Sequence, residues 1–519
     1  VLGDANLYMM DSFQRVTGGR YYSCSHEAGA VLAANGAART SGRLGVATVT
    51  HGPALTNTMT ALVESVRDRT PLLLIAGDTA VVDHVNFQNI AQRDVVLATG
   101  AGFEQVRSPL TVAEDVAEAI RRAHLEQRPI VLNVPVEFQW EEGGHTRVEP
   151  KFVEPQATAP DPAAMDAAVG VVAAARRPIV LAGRGATSPR AKAALLRLAE
   201  RIGAPVATTL RGKDLFRGER FDLGIFGTLT HEVAHEAIMD SDCVIAFGAG
   251  LNKWTTAEGS LVEKKRVVHV DLDRSAINRF CPSDVGVVGD AATVADTIVE
   301  WPDEAETAPT GFASADLAER LAAHTPTGRP ELSTDKTVDL RTAMLRLEEV
   351  FPEQRNLVFD GGRFIFDAFT LLHCPEPSAY VHTVNYGSIG LGMGNAIGAS
   401  LGTPERPTLL VTGDGGFMLG GLTEFNTAVR HGLDLTVVVF NDGAYGAEHI
   451  QFRDKGMDPA ISTFDWPDFG PVATALGGQG FTVRNLTELD EALAAIETRD
   501  RPILIDVRID PDKVTITDH

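Results

Sequence analysis

One sequence unit occurs twice in this chain, once near each end. Residues 44–78 (LGVATVTHGPALTNTMTALVESVRDRTPLLLIAGD) and residues 407–442 (PTLLVTGDGGFMLGGLTEFNTAVRHGLDLTVVVFND) each contain an apolar run, a glycine-containing turn, an amphipathic stretch and a second apolar run that ends at Asp. Apolar runs that alternate with amphipathic stretches are typical of parallel sheets covered by helices. The repeat therefore predicts two parallel α/β domains of like fold, one at each end of the chain.

A further pair of segments and a third pattern complete the organisation. Residues 113–137 are echoed by residues 489–510, and both segments end in an apolar run. Between the repeats, apolar runs within 176–186, 243–250 and 266–273 form another α/β pattern, flanked by stretches rich in Pro, Thr and acidic residues. We therefore predict an α/β protein of three domains with parallel sheets flanked by helices, covering residues 1–150, 160–305 and 335–519.

Charge and composition narrow the class of partner. The 519 residues carry a formal net charge of −23, which argues against nucleic acid or an anionic membrane as the main partner. No apolar run reaches the ~18 residues that predict a membrane span. Four widely spaced cysteines favour a reducing cytoplasm over secretion. The first residue is not Met and no signal peptide is recognisable, so we expect a trimmed start and a cytoplasmic location.

The turn VTGDGGF, residues 411–417, carries the strongest chemical signal. Glycines between a strand and a helix let backbone N–H groups approach a phosphate. Asp414 lies inside this turn, and Asn441 lies 27 residues later, at the end of the next apolar run. Neighbouring parallel strands would bring both side chains to one sheet edge, where carboxylate and amide oxygens suit Mg²⁺.

This spaced motif resembles the signature of thiamine diphosphate (ThDP) enzymes. The chain is similar over nearly its whole length to their acetolactate synthase and 2-oxoacid decarboxylase branch, which includes benzoylformate decarboxylase. The resemblance implies pyrimidine-binding, middle and pyrophosphate-binding domains in that order. It also implies that Mg²⁺ is bound by the side chains of Asp414 and Asn441 and by the carbonyl of Gly443. The glycines implied to lie against the diphosphate are Gly415 and Gly416, and Gly413 is a further cofactor-binding candidate.

A second segment, YGSIGLGMGNAIGA (386–399), is similar to the family segment that holds the aminopyrimidine ring. The resemblance implies that Gly387 accepts a hydrogen bond from the ring's amino group and that Ser388 also binds the cofactor. Ile389 would be the bulky residue wedged between the two rings, although a plain core isoleucine explains the same residue. Tyr445 and Gly446 are further cofactor-binding candidates.

The stretch SHEAGAVLAANG (25–36) contains the candidate catalytic acid. Taken alone, it predicts a helix capped by Ser25, with Glu27 as a first-turn acid that offsets the helix dipole. In the resembling family, the His26–Glu27 pair supplies a carboxyl group that shares a proton with the cofactor's pyrimidine ring. The family arrangement also implies that Glu27 serves ThDP held by another subunit, so we expect a dimer or a dimer of dimers with active sites at the subunit interface.

Five residues are candidates for the substrate pocket, and each also has an ordinary structural explanation. His51 and Gln88 are candidate catalytic groups, and Phe87 would face the substrate beside Gln88. Glu448 and His449 follow the predicted metal ligands on a predicted helix. Acetolactate synthases have an aliphatic residue at the position aligned with Glu448, and a carboxylate there would disfavour a second 2-oxoacid.

The resemblance implies a lyase or carboligase that uses ThDP and Mg²⁺. It would decarboxylate a 2-oxoacid donor, after which the enamine is protonated or adds to a carbonyl acceptor, as in acetolactate synthase. A simple 2-oxoacid decarboxylase of the benzoylformate type is the alternative. An oxidoreductase built on the GRGA and FGAG turns, using a nicotinamide or flavin, and a non-catalytic paralogue are weaker alternatives. FAD is possible but unsupported, because FGAGLNKW (247–254) lacks the family's Arg.

Overall fold

The computed structural model describes residues 1–83, 85–144, 148–153, 156–304, 306–326 and 330–513. They form two compact units. The first comprises Val1–Val153, Glu331–Cys374 and the chain from Ser378 onward, and the second comprises the intervening segment with Pro375–Pro377. None of the helices in the described ranges combines the length and the apolar character that crossing a bilayer requires.

The N-terminal domain of the first unit contains a four-stranded parallel sheet of order β1-β2-β4-β3. The leucine-rich strand β2 lies inside the sheet and is largely buried. The elements are α1 (Leu7–Thr17), α2 (Glu27–Ser41), β1 (Gly45–Val49), α3 (Pro53–Thr56), α4 (Met59–Arg67), β2 (Leu72–Asp78), α5 (Gln92–Ala98), β3 (Gly102–Gln105), α6 (Val112–Glu126) and β4 (Pro129–Pro135).

The second unit is a six-stranded parallel sheet of order β10-β9-β8-β5-β6-β7. Its central strands β5 and β8 are fully buried and apolar, as expected for parallel strands covered on both faces. The elements are α7 (Pro162–Ala174), β5 (Pro178–Ala182), α8 (Pro189–Ile202), β6 (Val206–Thr208), β7 (Asp222–Ile225), α9 (Glu232–Asp240), β8 (Cys243–Phe247), β9 (Arg266–Asp271), β10 (Val285–Val288), α10 (Ala291–Glu304) and α11 (Ala315–Ala323).

The C-terminal domain belongs to the first unit and contains a six-stranded parallel sheet of order β12-β11-β13-β14-β16-β15. The prediction of three parallel sheets flanked by helices is confirmed. The elements are α12 (Leu340–Val350), β11 (Asn356–Phe359), α13 (Ile365–Leu371), β12 (Tyr380–His382), α14 (Gly392–Gly402), β13 (Thr408–Gly413), α15 (Asp414–Gly416), α16 (Leu422–Arg430), β14 (Leu435–Asn441), α17 (Gly446–Asp454), α18 (Phe469–Ala475), β15 (Gln479–Val483), α19 (Leu486–Glu497) and β16 (Ile503–Arg508).

The sequence repeat is also a structural repeat. Gly45 pairs with Leu72 between β1 and β2, and Thr408 pairs with Leu435 between β13 and β14, an offset of 363 residues at both positions. The strand order β1-β2-β4-β3 matches the order β13-β14-β16-β15. Positions in the two domains can therefore be compared residue by residue.

The two domains of the first unit pack through α2 and α14. Both helices are rich in Gly and Ala, which allows their backbones to approach closely. A Cβ atom at Gly36 would lie 2.1 Å from the carbonyl oxygen of Asn395, and one at Gly398 would lie 2.0 Å from that of Ala33. Inside this contact, Asn35 Nδ2 donates to Asn395 Oδ1 at 2.9 Å. Larger side chains in this stripe would separate the domains.

Candidate active site

The predicted metal turn lies at the carboxyl edge of the C-terminal sheet. β13 ends at Gly413, and Asp414 begins the helical segment that follows. The Asp414 side chain is buried, and its Oδ2 atom has no hydrogen-bond partner among the residues that the structure describes. Burial, and after it the charge of Asp442, raises the pKa of Asp414 to about 7. A buried carboxylate oxygen without a partner is costly, and a bound cation would satisfy it.

Asn441 ends β14, the strand next to β13, so the two predicted side-chain ligands meet at one sheet edge. Its Nδ2 donates to Asp506 Oδ1 at 2.8 Å, and its Oδ1 accepts from Gly443 N–H at 3.2 Å. Gly443 has φ +64°, and its carbonyl accepts from Phe464 N–H at 2.7 Å. Within the described ranges, no group of three His, Cys, Asp or Glu side chains could hold a metal ion. A cation here would depend on mixed carboxylate, amide and carbonyl oxygens.

The glycines of the turn are required by close packing. A Cβ atom at Gly415 would lie 2.9 Å from Tyr445 Cε1 and 3.7 Å from Ile389 Cδ1. A Cβ atom at Gly416 would lie 2.9 Å from Asp360 Oδ2. The structure therefore brings together Ile389, Tyr445 and the glycine turn, which the sequence predicted as parts of one cofactor site.

The remaining cofactor candidates lie beside these residues. Gly387 has φ +80°, and the space around its Cβ position is open. Ser388 Oγ donates to the carbonyl of Ile389 at 3.0 Å. A Cβ atom at Gly413 would lie 3.3 Å from the Phe364 ring. Gly413 thus ends β13 at the predicted metal turn, and Gly387 and Ser388 directly precede Ile389.

Asp360 organises this site and was missed by the sequence reasoning. It follows β11, is almost fully buried, and accepts hydrogen bonds from the N–H groups of Gly390 and Leu391 at 3.0 and 3.2 Å. It also accepts from Thr412 Oγ1 at 3.1 Å. One carboxylate thus ties the segment after Ile389 to the end of β13. The available signal was FDGG (359–362), which resembles GDGG (413–416) at the end of another strand.

Gly446, a predicted cofactor residue, lies against a buried ion pair that the sequence reasoning also missed. Arg363 Nη2 lies 2.8 Å from Asp442 Oδ2, and a Cβ atom at Gly446 would lie 2.5 Å from that oxygen. Burial raises the pKa of Asp442, and the Arg363 guanidinium opposes this shift. The ion pair fixes the loop between Asn441 and α17.

The expectation that Ser25 caps the helix of the candidate acid was wrong. His26 is the cap: its Nδ1 accepts from Ala28 N–H at 3.1 Å. The Ser25 hydroxyl instead donates to the carbonyl of Thr423 at 3.1 Å, because residues of the C-terminal domain face it. Glu27 is the first helical residue, is half-buried, and accepts from Asn57 Nδ2 through its Oε2 atom at 3.0 Å.

The helix of Glu27 lies against the C-terminal domain of its own chain. A Cβ atom at Gly394 would lie 2.7 Å from Leu32 Cβ and 3.1 Å from the carbonyl oxygen of Gly29. The first turns of α2 therefore contact the start of α14, which directly follows the segment containing Ile389. That Glu27 serves the cofactor of another subunit remains a prediction.

Two of the three N-terminal substrate candidates, His51 and Gln88, meet at the turn after β1. His51 is buried, and its Nδ1 lies 3.2 Å from Thr50 Oγ1. A Cβ atom at Gly52 would lie 2.4 Å from the carbonyl oxygen of Gln88, so the backbone of Gln88 covers this turn. Phe87 is 95% exposed. His84, the first residue of the same predicted segment, lies outside the described residues.

The C-terminal substrate candidates lie on α17. His449 is buried, and its Nε2 lies 2.9 Å from Asp512 Oδ1 and its Nδ1 3.5 Å from Ser462 Oγ. Glu448 is exposed in the first turn of the same helix. The paired position of His449 shows a structural function for that residue, and a substrate contact by either residue remains a prediction.

The glycines of the second unit serve chain packing. A Cβ atom at Gly183 would lie 2.2 Å from the carbonyl oxygen of Gly248, and one at Gly185 would lie 2.9 Å from the Gly248 Cα. The turns after β5 and β8 therefore pack backbone against backbone. Close packing explains Gly183, Gly185 and Gly248, whereas the space around the Cβ position of Gly250 is open. The three packed glycines give no separate argument for FAD or a nicotinamide.

Comparison with known families decides the class of protein. Three family models match the chain in order: the N-terminal TPP-binding domain of thiamine pyrophosphate enzymes at residues 1–96, their central domain at 165–298, and their C-terminal TPP-binding domain at 360–507. Thiamine pyrophosphate is another name for ThDP. The chain belongs to the ThDP-dependent enzymes. The resemblance based on Asp414, Asn441 and Glu27 is thereby confirmed at the level of the family.

Relatives of this ThDP enzyme have several activities in their names. A probable 2-ketoarginine decarboxylase of Pseudomonas aeruginosa is 29% identical and aligns with 98% of this chain and 91% of its own length. A sulfoacetaldehyde acetyltransferase of Castellaniella defragrans is 27% identical, with 95% and 86% covered. An acetolactate synthase large subunit of Parasynechococcus marenigrum is 27% identical, with 93% and 80% covered. The chain is about equally similar to relatives that are named for different activities. These similarities therefore identify the cofactor class but not the substrate.

Proposed function

We propose that this enzyme uses ThDP and Mg²⁺ to decarboxylate a 2-oxoacid donor and to join the product to a carbonyl acceptor, as a lyase or carboligase. The observation that carries the proposal is the buried Asp414 Oδ2 atom, which has no hydrogen-bond partner in the described part of the chain and lies at the same sheet edge as Asn441. When bound, ThDP supplies a nucleophilic carbon and an electron sink for decarboxylation.

The residues at the sheet edge fit a hydrated Mg²⁺ that also binds a diphosphate. Asp414 and Asn441 would supply side-chain oxygens, and Gly443 would supply its carbonyl oxygen. The N–H groups of Gly415 and Gly416 open the helical segment that continues into α16, and a helix start favours an anionic group. Magnesium prefers such oxygen donors and keeps part of its water shell.

Glu27 is the residue that we propose to hold and exchange a proton with the cofactor. Asn57 fixes one oxygen of its carboxyl group, Oε2, by donating a hydrogen bond to it. We therefore assign the exchanged proton to the other carboxyl oxygen of Glu27, Oε1. Ile389 would support the cofactor rings from the opposite domain, and its contact with the Gly415 position supports this role.

The donor is proposed to carry a neutral polar or cationic side chain. Glu448 is exposed in the first turn of α17, three residues after Tyr445, and a carboxylate would repel an anionic second substrate. The relative named as a probable 2-ketoarginine decarboxylase supports a donor of this type. The same Glu448 carboxylate favours the second candidate, a simple 2-oxoacid decarboxylase, because that reaction needs no second 2-oxoacid in the site. His51 and Gln88 are proposed to contact the donor.

A donor screen with cofactor analysis tests the proposal. The purified protein would be saturated with ThDP and Mg²⁺ and offered 2-oxoacids with cationic, polar, aromatic and small side chains, with CO₂ release as the readout. We expect release from at least one donor and a loss of about a hundredfold or more in Glu27→Gln, because the proton-carrying group is removed. Mass spectrometry of the denatured protein would identify thiamine and no nicotinamide.

The matched control is Glu114→Gln, another first-turn glutamate of a helix in the same domain, which is exposed. It should keep the wild-type rate. Equal CO₂ release by wild type and Glu27→Gln would contradict the assignment of Glu27. A protein that retains a nicotinamide and no thiamine would contradict the whole proposal.

A further inference from the structure

Two buried glutamates of the first unit each accept hydrogen bonds from the opposite domain. Glu424 of the C-terminal domain is 2% exposed and reaches the N-terminal domain, and Glu64 of the N-terminal domain is 0% exposed and reaches the C-terminal domain. Each is accompanied by an arginine of the same helical region. We name Glu424 with Arg430 the C-clamp, and Glu64 with Arg67 the N-clamp.

The C-clamp holds the residues directly before Glu27. Glu424 Oε1 accepts hydrogen bonds from the N–H groups of Ser25 and His26 at 3.0 and 2.8 Å. Arg430 donates to Ser23 twice, to its Oγ at 2.7 Å and to its carbonyl at 2.9 Å. The segment that leads into α2 is thus held from the C-terminal domain at Ser23, Ser25 and His26.

The N-clamp holds the residues directly before Gly387. Glu64 accepts from the N–H and Nδ2 of Asn385 at 3.1 and 2.6 Å and from the N–H of Tyr386 at 2.7 Å. Arg67 donates to the carbonyl of Asn385 at 3.2 Å, and its guanidinium lies 4.7 Å from the centre of the Tyr386 ring. The segment that leads to Ile389 is therefore held from the N-terminal domain.

The clamps are equivalent in the repeat but are not simple copies. Arg67 and Arg430 are separated by the same 363 residues that relate β1 to β13. The glutamates are not equivalent, because Glu64 corresponds to Thr427 and Glu424 corresponds to Ala61, one helical turn away. In each domain a glutamate thus accepts backbone hydrogen bonds from the other domain, although the two glutamates occupy different positions of the repeat.

We propose that the clamps are positioning devices: the C-clamp sets the place of Glu27, and the N-clamp sets the places of Gly387 and Ile389. This inference rests on the proposed function, in which Glu27 exchanges a proton and the 387–389 segment holds the cofactor. Each domain thereby positions the working residues of the other. Displacement of a catalytic group by about 1 Å can cost about a hundredfold in rate, so contacts one or two residues away matter.

If each clamp positions a different group, weakening one should slow C2 exchange and weakening the other should reduce ThDP affinity. A purely structural function of the clamps would not produce this difference. The test uses the full chain loaded with ThDP and Mg²⁺ and needs no substrate. Calorimetry would give the dissociation constant for ThDP, and quenched samples would give the rate at which the C2 hydrogen of bound ThDP exchanges with deuterium. Arg67 and Arg430 are both exposed, so their replacement by Met leaves the buried core intact.

Arg430→Met should slow C2 exchange about tenfold while the ThDP dissociation constant stays within about threefold. Arg67→Met should raise the dissociation constant about tenfold and leave exchange at saturating ThDP nearly unchanged. Glu424→Gln, which keeps an acceptor oxygen, should exchange faster than Glu424→Ala. The control Arg197→Met removes an exposed arginine that pairs with Asp296 in the second unit and should change neither value.

The inference is overturned if both arginine variants change both values together and in proportion to a lower melting temperature, or if neither variant differs from Arg197→Met. Failure of the proposed function has a different signature. In that case wild type does not bind ThDP, or Glu27→Gln exchanges as fast as wild type. If wild type and Glu27→Gln behave as expected but the arginine variants do not, the clamps alone are refuted.

Discussion

The N-terminal and C-terminal sheets carry the same acid–amide pair with its members exchanged. In the N-terminal domain, Asp78 ends β2 and accepts from Asn133 Nδ2 of β4 at 2.6 Å. At the equivalent positions of the C-terminal domain, Asn441 ends β14 and donates from Nδ2 to Asp506 of β16 at 2.8 Å. Both pairs are internal hydrogen bonds at the carboxyl edge of a parallel sheet. The acid and the amide have exchanged strands between the two domains, so the direction of donation is reversed.

The turn that follows β1 also differs from the equivalent turn that follows β13. His51 of the N-terminal domain occupies the position of Asp414, and Gly52 occupies that of Gly415. The C-terminal edge thus combines a carboxylate in the turn with a neutral amide oxygen at the strand end, a set that suits a cation and a diphosphate. The N-terminal edge has a histidine in the turn, and its strand-end carboxylate is already bonded to Asn133.

The difference shows that one fold can carry two different sets of side chains at equivalent positions. An exchange of residue types at three such positions distinguishes the edge that we propose to bind the cofactor's diphosphate and metal from the edge that we propose to contact the substrate. Both proposed sites lie at the carboxyl ends of strands, where parallel sheets generally bind ligands. Glu27, the proposed proton carrier, belongs to the domain without the predicted metal turn.

The largest expected effect concerns the turn residues. Asp414→Asn keeps the shape of the side chain but removes the carboxylate, so we expect the dissociation constant for ThDP in the presence of Mg²⁺ to rise about a hundredfold. The matched variant His51→Asn should change it less than about threefold and lower only turnover. Calorimetric titration measures both, and equal effects of the two substitutions would remove the distinction between the edges.

A smaller effect concerns the exchanged pair. Asp78→Asn and Asn133→Asp each leave a poorly matched pair between half-buried Asp78 and buried Asn133, and should each cost about 1–3 kcal/mol in the free energy of unfolding. The double variant restores the pair with the polarity of the C-terminal domain and should recover most of that loss. Urea denaturation of all four proteins measures the coupling. Additive losses in the double variant would show that the two residues do not act as a pair.

The smallest expected effect uses Cys24, which lies between the residues held by the C-clamp. Burial, and after it the charge of Glu424, raises the pKa of its thiol to about 12. At pH 8 the thiol therefore stays protonated and should react very slowly with alkylating reagents. Arg430→Met should loosen the segment and speed alkylation several-fold, as measured by mass spectrometry. Fast alkylation of Cys24 in the native wild type would contradict the buried, held segment.

The sequence was sufficient for the features that are periodic or tightly spaced. The two apolar runs around Gly415 predicted neighbouring strands, and their ends predicted that Asp414 and Asn441 would meet. The small residues in 27–41 and 392–402 did not predict the contact between α2 and α14, because glycine and alanine give no periodic hydrophobic pattern. That contact depends on tertiary packing.

Polar residues buried by another domain were the main omission. Glu64 and Glu424 lie on amphipathic helices, where an acid is normally a solvated residue. Only the packing of the opposite domain shows that they accept backbone hydrogen bonds. The same reason explains the wrong cap: Ser25 has the usual capping side chain, but its hydroxyl and N–H are engaged by the C-terminal domain, so His26 caps α2.

The central claim is that the C-terminal edge binds the cofactor while the N-terminal domain supplies the proton carrier. One experiment tests it directly: ThDP binding and C2 deuterium exchange, measured on wild type, Asp414→Asn and Glu27→Gln with and without Mg²⁺. The account predicts that Asp414→Asn and chelation of Mg²⁺ weaken binding strongly. It predicts that Glu27→Gln binds ThDP within about threefold of wild type but loses exchange. Loss of binding in Glu27→Gln to the same extent as in Asp414→Asn, or normal exchange in Glu27→Gln, would contradict it.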